Sequence, residues 1–141
     1  MNYRKGDQMG SLDRKYEIEM SLKDGRLTKK QDKFEIYNTD KDILNFYITL
    51  KDVNDVIVSN TNLHLYNVKM IIVRPELVYK EVACEIDDNK DRLVCEIAND
   101  MLSIAGTYKF ELRVEKDGEI VTSSPDNFVV KKSIADGLRN N

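Results

Sequence analysis

GTYKFELRVE, residues 106–115, alternates almost without interruption. Tyr108, Phe110, Leu112 and Val114 fall on one side of an extended chain, and Lys109, Glu111, Arg113 and Glu115 on the other. Successive side chains of a strand point to opposite faces, so the pattern predicts a strand with one face buried and one in water. Gly106 can adopt backbone angles closed to other residues and suits a sharp start to that strand. KDGE, residues 116–119, supplies an Asp-Gly hairpin turn, and the chain returns through residues 120–130. Long antiparallel hairpins of this kind are the spine of β-sandwiches.

Outward from this hairpin the alternation recurs. Residues 14–23 set Tyr16, Ile18, Met20 and Leu22 against Lys15, Glu17, Glu19 and Ser21, with a turn signal at Asp24-Gly25. Phe34, Ile36 and Asn38 form a short strand ending in a loop-like cluster that includes Asp40. Residues 41–51 place Leu44, Phe46, Ile48 and Leu50 on one face and Asn45, Tyr47 and Thr49 on the other. Tyr47 on the wetter side predicts that this side is not fully solvated. Residues 56–58 read as a short edge strand. Residues 63–74 read as a further strand, with Ile71 and Val73 predicting burial on both sides at one end. Pro75 stops the ladder because it has no N–H to donate.

Residues 77–86 and 93–98 form a hairpin around DDNKD, residues 87–91. With Asn89-Lys90 as the turn, Asp88 faces Asp91, Ile86 faces Leu93, and Cys84 faces Cys95, so every apolar partner matches. Residues 99–105 read as one helical turn or a tight crossover, capped by Asn99 or Asp100. The last strand, residues 127–132, turns Phe128 and Val130 inward. The expected fold is an all-β, immunoglobulin-like antiparallel β-sandwich of about seven to nine strands over residues 14–132. A flexible polar arm (residues 1–13) precedes it, and a polar tail or linker start (residues 133–141) follows. The expected core is Phe46, Ile48, Leu50, Met70, Ile72, Tyr108, Phe110, Leu112, Val114, Phe128 and Val130.

The 141 residues suit one domain with a real core. The 22 Lys and Arg are interspersed with 25 Asp and Glu, and the formal charge of −3 argues against a nucleic-acid partner. No apolar run approaches the roughly 20 residues of a membrane helix, and the N-terminal residues show no apolar signal core. The expected setting is the cytoplasm or a particle assembled there.

Chemistry is sparse. His64 is the single histidine, and neither a nucleophile nor a metal partner accompanies it in sequence. Cys84 and Cys95 would bridge in an oxidising compartment; without a signal peptide they are expected as reduced core thiols. Asp87, Asp88, Asn89 and Asp91 lack the glycine and closing glutamate of a calcium loop and read as an acidic turn. No catalytic, cofactor or metal residue is therefore assigned. Tyr37, Tyr47 and Tyr79 lie off the main core and are candidate interface anchors.

Five pieces carry a family resemblance. They are FEIYNTDKDILNFYITLKD (34–52), YNVKMIIVRP (66–75), the hairpin EIDDNKDRLVCEI (85–97), GTYKFELRV (106–114) and SSPDNFVVKKSI (123–134). In this order the chain from Tyr16 to Ile134, about four-fifths of its length, resembles the N-terminal domain of tailed-phage upper baseplate proteins. The resemblance implies a non-enzymatic virion component of a phage or prophage tail, assembled in the bacterial cytoplasm. It would act as an adaptor that attaches peripheral receptor-binding proteins to the tail-tip core. The implied partners are other tail and baseplate proteins, with room for a homo-oligomer in the particle. No cofactor, nucleic acid or membrane insertion is implied. The competing reading is a cell-surface adhesion or carbohydrate-binding β-sandwich.

Overall fold

In the computed structural model, residues 14–31, 35–38 and 44–134 are described. The arm over residues 1–13, Phe34, Asp40 and the end of the tail lie outside them. In chain order the elements are β1 (Arg14–Ser21), β2 (Leu27–Lys29), β3 (Glu35–Tyr37), β4 (Leu44–Lys51), a short helix α1 (Asn60–Leu63), β5 (Asn67–Val73), β6 (Tyr79–Ala83), β7 (Glu85–Ile86), β8 (Leu93–Ile97), a 3₁₀ turn (Asn99–Leu102), β9 (Gly106–Lys116), β10 (Glu119–Thr122) and β11 (Asp126–Lys131). They build an all-β sandwich. The first sheet runs β2-β1-β4-β8-β7; the second runs β3-β11-β9-β5-β6, with β10 also on β9.

The inward residues of both sheets form one core. Every core residue expected from the alternation is buried, and Tyr16, Ile18, Met20, Ile36, Leu44, Leu93, Cys95 and Ile97 join them. Its centre is aromatic. Tyr16 stacks on Phe46 at 4.9 Å within the first sheet. Phe46 reaches across to Phe110 at 5.2 Å and to Phe128 at 5.7 Å. Tyr108 stacks on Phe128 at 5.2 Å, and its hydroxyl donates to the Ile104 carbonyl at 2.7 Å.

The sheets are mixed, not purely antiparallel. β1 pairs parallel with β4, and β3 pairs parallel with β11. Side-chain alternation is the same in either direction, so the sequence pattern carries no signal for this. Among the described residues there are eleven strands, more than expected: β2 is too short to give a periodic signal of its own, and the one strand expected over residues 77–86 is divided into β6 and β7.

Four local readings change. The hairpin over residues 77–98 exists only at its tip, where Glu85 faces Val94 and Ile86 faces Leu93. The tip loop runs from Asp88 to Asp91, with Asp87 N–H donating to Arg92 O and Asn89 at φ 60°; it is longer than a turn of Asn89 and Lys90 alone, but the register is the same. Before the tip, β6 pairs with β5 in the other sheet, from Lys69–Ala83 to Val73–Tyr79. Residues 63–66 are not strand. Asp91 Oδ1 accepts the Asn60 N–H at 2.7 Å, and Asn60 Nδ2 donates to Lys90 O at 2.7 Å, so a distant loop holds the start of α1. Residues 56–58 make one bridge, Lys51 to Ile57. The 3₁₀ turn is preceded by Ala98, with no side-chain cap from Asn99 or Asp100.

The turn at Asp117-Gly118 has φ of 53° and 84° and sets Lys116 opposite Glu119, as a type I′ hairpin requires. On the return, Ser123, Ser124 and Pro125 oppose only Glu111 and Leu112, which makes a bulge between β10 and β11. Ser123 repairs it. Its Oγ accepts the Leu112 N–H at 2.9 Å, and its own N–H donates to Leu112 O at 2.8 Å. Ser124 then clips the sheets together: its N–H donates to Gly25 O at 2.8 Å, and its Oγ accepts the Leu27 N–H at 3.1 Å.

Two stability outcomes follow from this packing. Phe110→Ala should lower stability by about 3–5 kcal/mol, as cavities left by buried aromatics do; an unchanged denaturant midpoint would remove Phe110 from the core. Gly25 sits at φ 75°, and a Cβ there would lie 2.8 Å from Thr122 O. Gly25→Ala should therefore cost more than about 1 kcal/mol, against the small gain expected at a compatible site. Thermal unfolding of the purified variant measures the sign.

Candidate docking face

The three candidate tyrosines do not converge. Tyr47 lies on the outer face of the first sheet, half-buried beneath Arg92, whose guanidinium sits 4.1 Å from the ring centroid. Arg92 Nε also donates to Asp87 Oδ2 at 2.7 Å, and Arg92 Nη1 lies 3.9 Å from Glu17. Beside them Glu19 is shared by Lys30 at 3.4 Å and Lys51 at 3.2 Å. This face is laced with opposite charges and is suited to water. Tyr37 and Tyr79 are exposed and belong to the second sheet, at its two opposite edges.

The outer face of the second sheet is different. In cross-strand rows, Tyr79 faces Val73, which faces Lys109; in the next row Glu81 faces Ile71, which faces Glu111. Ile71 points outward, yet only 7% of it is exposed. It floors a groove of about 430 Å³ with Val73, walled by Tyr79 and Pro125 and rimmed by charge. Glu81 is held by Lys69 at 3.3 Å, and Glu111 by Arg113 at 3.4 Å. Lys109 at the rim has no ion-pair partner among the described residues.

The apolar run MIIV, residues 70–73, announced the groove floor, since alternation breaks where Ile71 and Val73 are apolar on the outward side. Lys109 and Pro125 gave no such signal. One reads as an ordinary wet-face lysine, and the other becomes a groove wall only because the bulge places it beside β9.

The remaining candidates are occupied structurally or stand apart. Asp87 pairs with Arg92, and Asp91 holds α1. Among the described residues, no group of three or more His, Cys, Asp or Glu is placed to hold a metal. His64 is exposed at the end of α1. Cys84 and Cys95 are both free, Cys84 half-buried and Cys95 buried. Among the described residues no helix is long and apolar enough to cross a membrane. No family model matches the chain, and no curated protein matches it in sequence.

Two buried tyrosines give the fold a pH limit. Burial, aided by the negative charge of Asp126, raises the Tyr16 phenol well above its usual range. Burial also raises Tyr108, against the opposing hydrogen bond and charge of Arg74. A group whose folded pKa lies above its unfolded value stabilises fully below the unfolded pKa and loses that contribution as pH rises through the folded one. The denaturant midpoint should thus hold through neutral pH with respect to these groups and fall above about pH 10. Tyr16→Phe should shrink the alkaline loss; an unchanged alkaline slope would sink this assignment.

Proposed function

We propose that the chain is a non-enzymatic structural domain of a phage or prophage tail baseplate. It is an adaptor that attaches a peripheral, receptor-binding protein to the tail-tip core, and it docks through the outer face of its second sheet. The resemblance of residues 16–134 to upper baseplate N-terminal domains supports the class of protein. The observation that carries the docking face is Ile71, an outward residue kept nearly dry at the floor of an open groove on the second sheet.

A face is favoured over a strand edge. Edge strands invite pairing unless they are short or carry charge, including charge on the inward side. β7 has two residues. β3 and β2 have three each, and Lys29 ends β2 with Lys30 directly after it. β6 is longer, but Lys80 occupies its core-facing side opposite Ile72. The strands at the ends of both sheets are thus short or charged, whereas the Tyr79 wall and the Ile71 floor have the aromatic anchor and apolar pocket typical of binding hot spots. The complementary partner presents an apolar side chain to Ile71 and a carboxylate to Lys109.

Immobilised full chain should capture a tail-tip protein from the same genome. Tyr79→Ala and Lys109→Glu change exposed side chains, so they should leave the melting temperature nearly unchanged. Tyr79→Ala should weaken capture about tenfold or more. Capture equal to wild type by both variants would remove this face from the interface. Glycan binding without capture of any tail protein would favour the carbohydrate-binding reading instead.

A further inference from the structure

Cys84 is the residue at which the chain changes sheets. Its N–H donates to Val68 O of β5 at 2.9 Å, so its backbone closes the second sheet. The next residue, Glu85, is already paired with Val94 in the first sheet. The register of β7 on β8 runs from Asp87–Arg92 through Ile86–Leu93 to Glu85–Val94, and carried one residue further it sets Cys84 opposite Cys95. Asp87 and Arg92 are a hydrogen-bonded pair; by alternation Cys84 and Cys95 occupy a non-hydrogen-bonded position, the closer of the two kinds. Neighbours of this kind are within the Cβ spacing of about 3.5–4.5 Å that a disulfide needs, or a small shift from it.

We propose that Cys84 and Cys95 are a disulfide-forming pair, a redox-set staple that ties the sheet crossover to β8. The reagent is a low-molecular-weight disulfide. Cys84, half-buried where Cys95 is fully buried, is the accessible sulfur and reacts first. Its thiolate attacks one sulfur of the reagent, breaking that S–S bond. One small thiol leaves with the proton Cys84 gave up, and a mixed disulfide remains. The Cys95 thiolate then attacks Cys84 Sγ, and the second small thiol leaves with the Cys95 proton. One protein disulfide forms, one reagent disulfide is lost, and both cysteines are oxidised.

The neighbouring Cys95 thiol and burial raise the Cys84 thiol far above its usual range. Thiolate is therefore scarce at neutral pH, so exchange is slow and speeds up as pH rises. In a reducing compartment the pair stays as two thiols; in an oxidising one it closes.

The test incubates the folded full chain with oxidised glutathione at several pH values, quenches with acid and maps peptides by mass. The expected product joins the peptides of Cys84 and Cys95, has lost two hydrogens and retains no glutathione. Its formation rate should rise with pH, and a dithiol reductant should reverse it. The bridged protein should melt roughly 5 °C or more above the reduced form. Cys95→Ala should trap glutathione on Cys84, and Cys84→Ala should leave Cys95 unmodified. If either variant fails to fold, the wild-type peptide map alone decides. A stable glutathione adduct on the wild type, two unmodified thiols after prolonged exposure, or a bridged form that melts lower than the reduced one would each overturn the proposal.

Discussion

The contact on which the rest of the structure depends is the meeting of Phe46 with Phe110 and Phe128 across the sandwich. Phe46 lies on the middle strand of the first sheet, and Phe110 on the long strand at the middle of the second. Tyr16 widens the cluster on one side, reaching Phe110 edge-on at 6.1 Å, and Tyr108 widens it on the other. Aromatic pairs add about 0.5–1.5 kcal/mol each beyond the area they bury. Their larger effect is geometric. Rings from two sheets that must interlock set how the sheets face each other, and hence which side of every other strand is inside.

That constraint also sorts the surfaces. With the inward sides committed, each sheet has one outer face, and the two faces differ in how their charges are satisfied. On the first, Arg92 and Glu19 gather charges of opposite sign, and Tyr47 is covered by Arg92. On the second, the pairs Lys69–Glu81 and Glu111–Arg113 lie to the sides of an apolar floor. Exposed ion pairs contribute little to stability. Their weight here is in deciding what a surface can bind: a face of paired charges resists desolvation, and a face with Ile71, Val73 and Tyr79 invites it.

The join between the sheets is made of backbone more than side chains. Gly25 and Ser124 clip the β1–β2 turn to the β10–β11 bulge, and Lys29 adds an ion pair to Asp126 at 3.4 Å across the same gap. On the other side of the sandwich the chain itself makes the join, running from β6 into β7 through Cys84. These two seams are unlike in one respect. The Gly25 seam requires a backbone that only glycine adopts without strain, whereas the Cys84 seam can be altered by chemistry after folding.

Much of the fold was legible in residues 106–119, because strand alternation and Asp-Gly turn chemistry are local: each depends on where a side chain points relative to its neighbour. The same locality exposed the matching of Cys84 with Cys95, and the break in alternation that marks Ile71. Parallel pairing of β1 with β4 was not legible, since alternation reads the same in both directions. The change of sheet at Cys84 was hidden as well, because Val82, Cys84 and Ile86 keep one inward period while their partners change from β5 to β8. The start of α1 depends on the Asp91 carboxylate, thirty-one residues away, and Lys109 becomes a rim residue only through its row beside Val73. By itself the sequence determined which residues are inside and where the chain turns, because those are short-range geometry. Only the tertiary structure decided which strands are neighbours, where the sheets are joined and which outer face stays apolar, because those follow from long-range packing around the aromatic centre.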